Sequence, residues 1–340
     1  MRFDKFNLML RRSRLSSKPV MQVFMSLLVL ISLLSNVQSD VKASAPGSDG
    51  VGVIAAANTI VNRYTALAVN AVAGSTSLAV TSAAALGVVP GDLILIIQMQ
   101  GATIDTTVNS AAWGAVTAYN NAGNYEFATV YSVSGNTITL SPCGPFLQRS
   151  YTATGKTQVI RVPQYTALTI NAGASITAPA WNGTTGGVAA VVAQTTVTVN
   201  GSIDVSGLGF RGGIRDNNTT AQPATIPGYA FTTAGGGQNS AAQKGESIAG
   251  FTADYDALGG AFPGGYGRGA PANGGGGGNA HNAGGGGGAN GYSGIAWNGQ
   301  GNPDNSVAAW TTAWNLDPTL NSGTTSSGGG RGGYTFSANN

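Results

Sequence analysis

The chain has 340 residues, enough for one or two domains, and only 9% of them are charged, against roughly 25% in average globular proteins. Surface polarity must come from Thr, Ser, Asn and Gln, and glutamate occurs only at Glu126 and Glu246. This composition argues for a β-rich extracellular protein and against a helical cytosolic enzyme.

Residues 1–39 read as a secretory signal. Arg11, Arg12, Arg14 and Lys18 are basic, and residues 20–34 form an apolar core of 15 residues, shorter than the roughly 20 needed to span a bilayer. Small residues at Val37 and Ser39 place the cut after Ser39. The removed segment holds six Lys or Arg and one Asp, a net of +5, so the formal +3 of the precursor becomes −2 in the mature chain. No basic patch remains, which excludes nucleic acid as a partner on electrostatic grounds. No membrane span is expected after cleavage. Cys143 is the only cysteine, so an internal disulfide is excluded.

Residues 40–58 are small and polar and read as a linker or short lead-in strand. Residues 59–163 read as a small β-barrel or sandwich domain. Its predicted strands are residues 77–81, 93–98, 125–133, 137–140 and 157–162. The run LILIIQ at 93–98 is nearly all apolar and should be a central strand. Residues 134–136, Ser-Gly-Asn, suit a three-residue hairpin loop. Residues 99–124 are a long polar excursion of the kind that often carries function. Trp113, Tyr119 and Tyr125 there could make an aromatic contact surface or cover the barrel end.

From 164 to 340 the pattern changes. ALTINAGASIT at 167–177 and TVTVNGSIDV at 196–205 each read as strand, turn, strand, with β-branched residues in period two. Short strands of near-regular spacing with Asn or Gly at the corners predict coils of a parallel β-helix. Glycine then dominates. Residues 274–278 and 284–288 are two five-glycine runs. They read either as a flexible linker or as packed polyglycine helices joined through backbone groups. Interspersed aromatics favour order. No closing cap is legible at the carboxy end, so the chain reads as an early part of a longer protein.

No catalytic set emerges. His281 is the only histidine, so neither a zinc site nor a Ser-His-Asp arrangement can be assembled. Asp254 and Asp256 are the closest carboxylate pair and read as solvated loop residues. Lys244-Gly245-Glu246 does not qualify as a phosphate loop. Only Asp204 and Arg211 fall near each other on the expected solenoid. No metal site, cofactor or catalytic residue is assigned.

The blocks GDLILIIQMQGATID, NNAGNYEFATV, GNTITL and TVTVNGSIDVSGLGFRGG, in that order across residues 55–300, resemble the amino-terminal region of large secreted, adhesin-like surface proteins of the Bacteroidetes type. Those proteins often carry gliding-motility or type IX secretion sorting domains at their far end, which this chain lacks. The resemblance implies surface display or release and supplies no catalytic residues. The expected function is a secreted or cell-surface adhesin-like module without catalysis. The alternatives are a β-helix hydrolase or lyase acting on polysaccharide, and a spacer projecting distal domains. With so few charges, the expected partner is a glycan or other surface polymer. The aromatics expected to meet it are Trp113, Tyr119, Tyr266, Tyr292 and Trp297, or else these rings plug the ends of the fold.

Overall fold

The structure is a computed structural model. It describes residues 46–107, 113–142 and 146–215, and in the glycine-rich part 228–231, 233–234, 240–252, 254, 264–279, 284–288 and 332. The strands in chain order begin with β1 (Val51–Ile54), β2 (Thr59–Ile60), β3 (Arg63–Ala66) and β4 (Ser77–Ala79). A short helix, α1 (Ala83–Leu86), the only one among the described residues, precedes β5 (Leu93–Gln98), β6 (Thr103–Ile104), β7 (Val116–Ala118), β8 (Tyr125–Ser134), β9 (Thr137–Leu140) and β10 (Thr157–Val162). Then come β11 (Gln164–Tyr165), β12 (Ala167–Ile170), β13 (Ser175–Thr177), β14 (Val192–Ala193), β15 (Val197–Val199) and β16 (Ser202–Ile203). A last parallel pair is β17 (Thr233–Ala234) with β18 (Ser240–Ala241).

The all-β expectation holds, with α1 the exception. The Ser82 hydroxyl accepts from the Ala85 amide, and Gly87 ends the turn in the left-handed region at φ 61°. Sequence reading missed this turn because three alanines and a leucine carry no period at such length.

Six strands form one curled antiparallel sheet in the order β3-β10-β5-β8-β9-β4. Its two edge strands meet where Leu67 bridges Val80 and the Ala68 amide donates to the Ala79 carbonyl. Inside the curl lie Leu78, Leu86, Ile94, Ile96, Val130, Ile138 and Val159, all buried. β5 sits between β10 and β8, as its apolar run predicts. The β8–β9 hairpin pairs Ser134 with Thr137, so its loop is two residues rather than three.

Eight other strands stack in parallel. β12 lies between β1 and β15, β13 lies between β2 and β16, and β11 pairs with β14. Leu168 sits level with Gly52 and Val197, Ile170 with Ile54 and Val199, and Ile176 with Thr59 and Ile203. These columns build a second core of Ile54, Leu168, Ile170, Ala174 and Ile176. At the Asn200-Gly201 corner only glycine fits, since a Cβ on Gly201 would lie 2.1 Å from the Ala174 carbonyl oxygen.

The chain order of these parts corrects the expected layout. β1 and β2 form the first rung of the stack, so residues 40–58 are not a linker throughout. The curled sheet is inserted between the first rung and the second rather than preceding the stack. The insert leaves and returns on neighbouring strands, with Arg63 opposite Arg161. Arg161 pins this junction. Its guanidinium bonds Asp49 at 2.7 Å and both oxygens of Asp92 at 3.1 Å.

The glycine-rich part is a backbone lattice where it is described. Amides of the central segment 242–246 donate in turn to Gly278, Ile214, Gly265, Gly275 and Arg211. Residues three apart thus donate to the same neighbour: 242 and 245 to segment 275–278, 243 and 246 to segment 211–214. A sheet strand has two neighbours in one plane. Three directions repeating every third residue is the habit of an extended three-fold helix. The run 274–278 is buried, and its lack of side chains is sterically required. A Cβ would meet the Gly286 oxygen from Gly275, the Arg268 oxygen from Gly276 and the Ala242 oxygen from Gly277, each at 2.0 Å. The second run, 284–288, borders this lattice through the Gly286 amide, which donates to the Gly276 carbonyl, and is mostly exposed. Collagen-like glycine spacing is not needed, because glycine is required only where a neighbour comes close.

These contacts separate two otherwise equal substitutions. Gly276→Ala should lower the melting temperature by several degrees, because a carbonyl must move. Gly284→Ala should leave it unchanged or raise it slightly, since nothing lies within 4 Å of its Cβ position and alanine lowers the entropy of the unfolded chain. Calorimetry of the two variants checks the contrast.

Candidate functional site

The long excursion after β5 runs into the glycine lattice. Gly101 and Ala102 both donate to the Ile248 carbonyl, and β6 pairs with β7 to hold the stretch that carries Trp113. Trp113 is buried, with Gly264 and Gly269 packed against its ring. The Lys244 ammonium sits 3.8 Å from the ring centroid. Lys244 is fully buried and donates to the carbonyls of Tyr229, Gly267 (3.1 Å) and Gly269 (2.7 Å). Burial, and then the charge of Arg268, push its pKa well below the ordinary lysine range. Three carbonyls matching the three donors of an ammonium, with a π face beside them, work in the opposite direction.

Two residues on, Glu246 gathers three other parts of the chain. One carboxylate oxygen accepts from Gln100 Nε2 (2.8 Å), Trp181 Nε1 (2.9 Å) and Arg211 (3.1 Å), and the other from Arg211 Nε (2.7 Å) and the Arg211 amide (3.1 Å). Burial raises its pKa, but the hydrogen bonds from Arg211 and Trp181 outweigh it and the net shift is downward. Trp181 packs edge-on to Phe210, and Arg211 lies over the Phe251 ring.

The structure distributes the expected binding aromatics differently from the sequence reading. Trp113 offers no exposed face, because Lys244 and two glycines occupy it. Tyr119 is 38% exposed, on the turn before β8. Tyr266 is half-buried and bridges Phe231 and Gln243 within the lattice. Tyr292 and Trp297 lie outside the described residues, as do Cys143, Asp256 and His281. The described site residues therefore do not converge. Among the described residues the other exposed aromatics are Tyr125 (60%), Phe127 (46%) and Phe146 (43%). Tyr125 was named from the sequence, with Trp113 and Tyr119, as part of a candidate aromatic contact surface. Phe127 was not, because alternation along β8 does not say which face is covered.

The carboxylates are spent locally. Asp254 accepts from the Phe251 amide at 2.8 Å, and Asp204 from the Ser206 amide at 2.8 Å. The nearness of Asp204 and Arg211 in sequence makes no pair, because the Arg211 guanidinium turns to Glu246. Among the described residues no group of three metal-ligating side chains occurs, and no helix is long and apolar enough to cross a membrane.

No protein-family profile matches the chain, and no curated protein does either. Three solved structures show a partial likeness. The tailspike gp61 of Pseudomonas phage phi297 is 14% identical with a TM-score of 0.21, over 47% of this chain and 23% of its own. The Gp54 tailspike of Acinetobacter baumannii bacteriophage AP22, solved with A. baumannii capsular saccharide, is 15% identical with a TM-score of 0.20, over 37% and 23%. The tailspike gp49 of Pseudomonas phage LKA1 is 18% identical with a TM-score of 0.19, over 39% and 27%. The chain spans about a quarter of the length of these tailspikes, and likeness at this level carries no functional argument.

The Glu246 knot sets a pH dependence. A carboxylate held below its ordinary pKa adds stability above the unfolded value, about pH 4.3, and that contribution is lost as pH falls through the folded value. Glu246→Gln should lower the melting temperature at pH 7, and the gap to wild type should shrink steadily below about pH 4.3. Melting curves of both proteins from neutral to acid check this.

Proposed function

We propose that this chain is a non-catalytic, adhesin-like binding module, exported and presented on or released from a cell surface, with a glycan or similar surface polymer as its partner. In this reading the stacked parallel rungs are the opening coils of a parallel β-helix. The insert and the glycine lattice are rigid bodies carried on it. One observation carries the proposal. The four buried charged residues among those described are Asp92, Lys244, Glu246 and Arg268. Each is engaged in holding the chain to itself: Asp92 with Arg161, Lys244 with three carbonyls, Glu246 with five donors, and Arg268 with the Gly332 carbonyl. A hydrolase or lyase needs an acid and a base converging on a cleft with free lone pairs. Here the buried charges cross-link backbone segments instead.

The export half of the proposal rests on the tripartite amino terminus and the charge-poor composition. Secreted material should begin at Asp40. Incubation with neutral and acidic polysaccharides should release neither reducing ends nor unsaturated sugars. Reducing-sugar and ultraviolet assays check this, and release abolished by Asp254→Asn would replace the proposal with a lyase or hydrolase.

A further inference from the structure

The outer face of the inserted sheet is only half covered. On β5 and β10 the outward side chains Leu93, Leu95, Ile97, Ile160 and Val162 lie under Val188, Ala190 and Val192. Tyr64 pins that cover through a 2.6 Å hydrogen bond from its hydroxyl to the Val188 carbonyl. The cover stops short of β8. There Phe127 lies directly across from Leu95, and Tyr125 across from Ile97. Both rings are therefore on the outer face, while Ala128 and Val130 further along the strand point into the curl. The two rings stand about 7 Å apart along the strand.

The outward strand positions themselves carry no charge. The outward positions of β5 and β8 here are Leu93, Leu95, Ile97, Tyr125, Phe127 and Thr129. Beside the strand, Glu126 accepts from the Gln148 and Arg149 amides, and the Arg149 guanidinium donates to Asn124 Oδ1 at 3.3 Å. The bare strip is one to two strands wide and five residues long, on the order of 200 Å². A stable protein partner or a second copy needs about 800 Å² a side. A narrow, uncharged row of aromatic rings fits a linear polymer whose monomers offer apolar ring faces and edge hydroxyls.

We propose that Tyr125 and Phe127 form a platform for a neutral polysaccharide, each ring stacking on one sugar face, with the Tyr125 hydroxyl bonding at the edge. This rests on reading the chain as a binding module, and it moves the site from the glycine-rich aromatics to the inserted sheet.

Affinity electrophoresis of the full chain through gels containing β-glucan, xylan or starch tests it, with alginate as an anionic control. Wild type should be retarded by at least one neutral polymer and not by alginate. Tyr125→Ala/Phe127→Ala should reduce that retardation at least tenfold in apparent Kd, with the melting temperature lowered by only a few degrees, because Tyr125 is mostly exposed and Phe127 about half exposed. Phe127→Ser serves as a milder second variant, and Tyr125→Phe should retain most binding. Absence of retardation by every neutral polymer overturns the proposal, as does equal retardation of wild type and both aromatic variants. The second result would leave the binding-module reading standing with its site elsewhere. Polymer cleavage with platform-dependent binding would remove the non-catalytic reading and keep the site.

Discussion

Segment 242–246 depends on two buried charges of opposite sign, and the described architecture depends on that segment. Lys244 reaches into the lattice, to Tyr229, Gly267, Gly269 and the Trp113 ring. Glu246 reaches to Gln100 after β5, to Trp181 after the second rung and to Arg211 after the third. One extended strand therefore ties the insert, the stack and the glycine lattice together. Buried ions are costly unless every donor or acceptor around them is matched. Here the ammonium has three acceptors and the carboxylate five donors. Removing either partner strands polar groups in the interior, so the arrangement favours a single register over nearby slips.

The lattice then explains why glycine is abundant where side chains would ordinarily make a core. Its segments approach so closely that a Cβ at several positions would fall about 2.0 Å from a carbonyl oxygen. Stability here comes from backbone hydrogen bonds in three directions and from aromatic and charged side chains entering from the edges. Trp113 is such an edge group. Its burial removes it from any ligand and gives the long excursion after β5 a structural task.

Much of the inserted sheet was legible in the sequence. β5 coincides with its apolar run and β10 with its expected strand; β5 is apolar throughout because the curl covers one of its faces and residues 188–192 the other. The second and third rungs were legible from NAG and NG corners between alternating strands. The first rung was not. Gly52 replaces an inward apolar side chain, and Ala55 to Ala57 blur the corner. The insert then separates this rung by about a hundred residues from its partners, so no local period links them. The knot was hidden because Lys244-Gly245-Glu246 has no motif value as a phosphate loop. Its signal was rarity: one of two glutamates in the whole chain, two residues from a lysine, among glycines and alanines. Scarce charges in such surroundings are candidates for buried pairs.

The first glycine run is part of a locked lattice rather than a tether. Amide hydrogen exchange of residues 274–278 in the intact protein measures this directly. A locked lattice predicts protection of these amides within a few orders of magnitude of β5, falling sharply in Glu246→Gln. Exchange at unfolded-chain rates in the wild-type protein would contradict it.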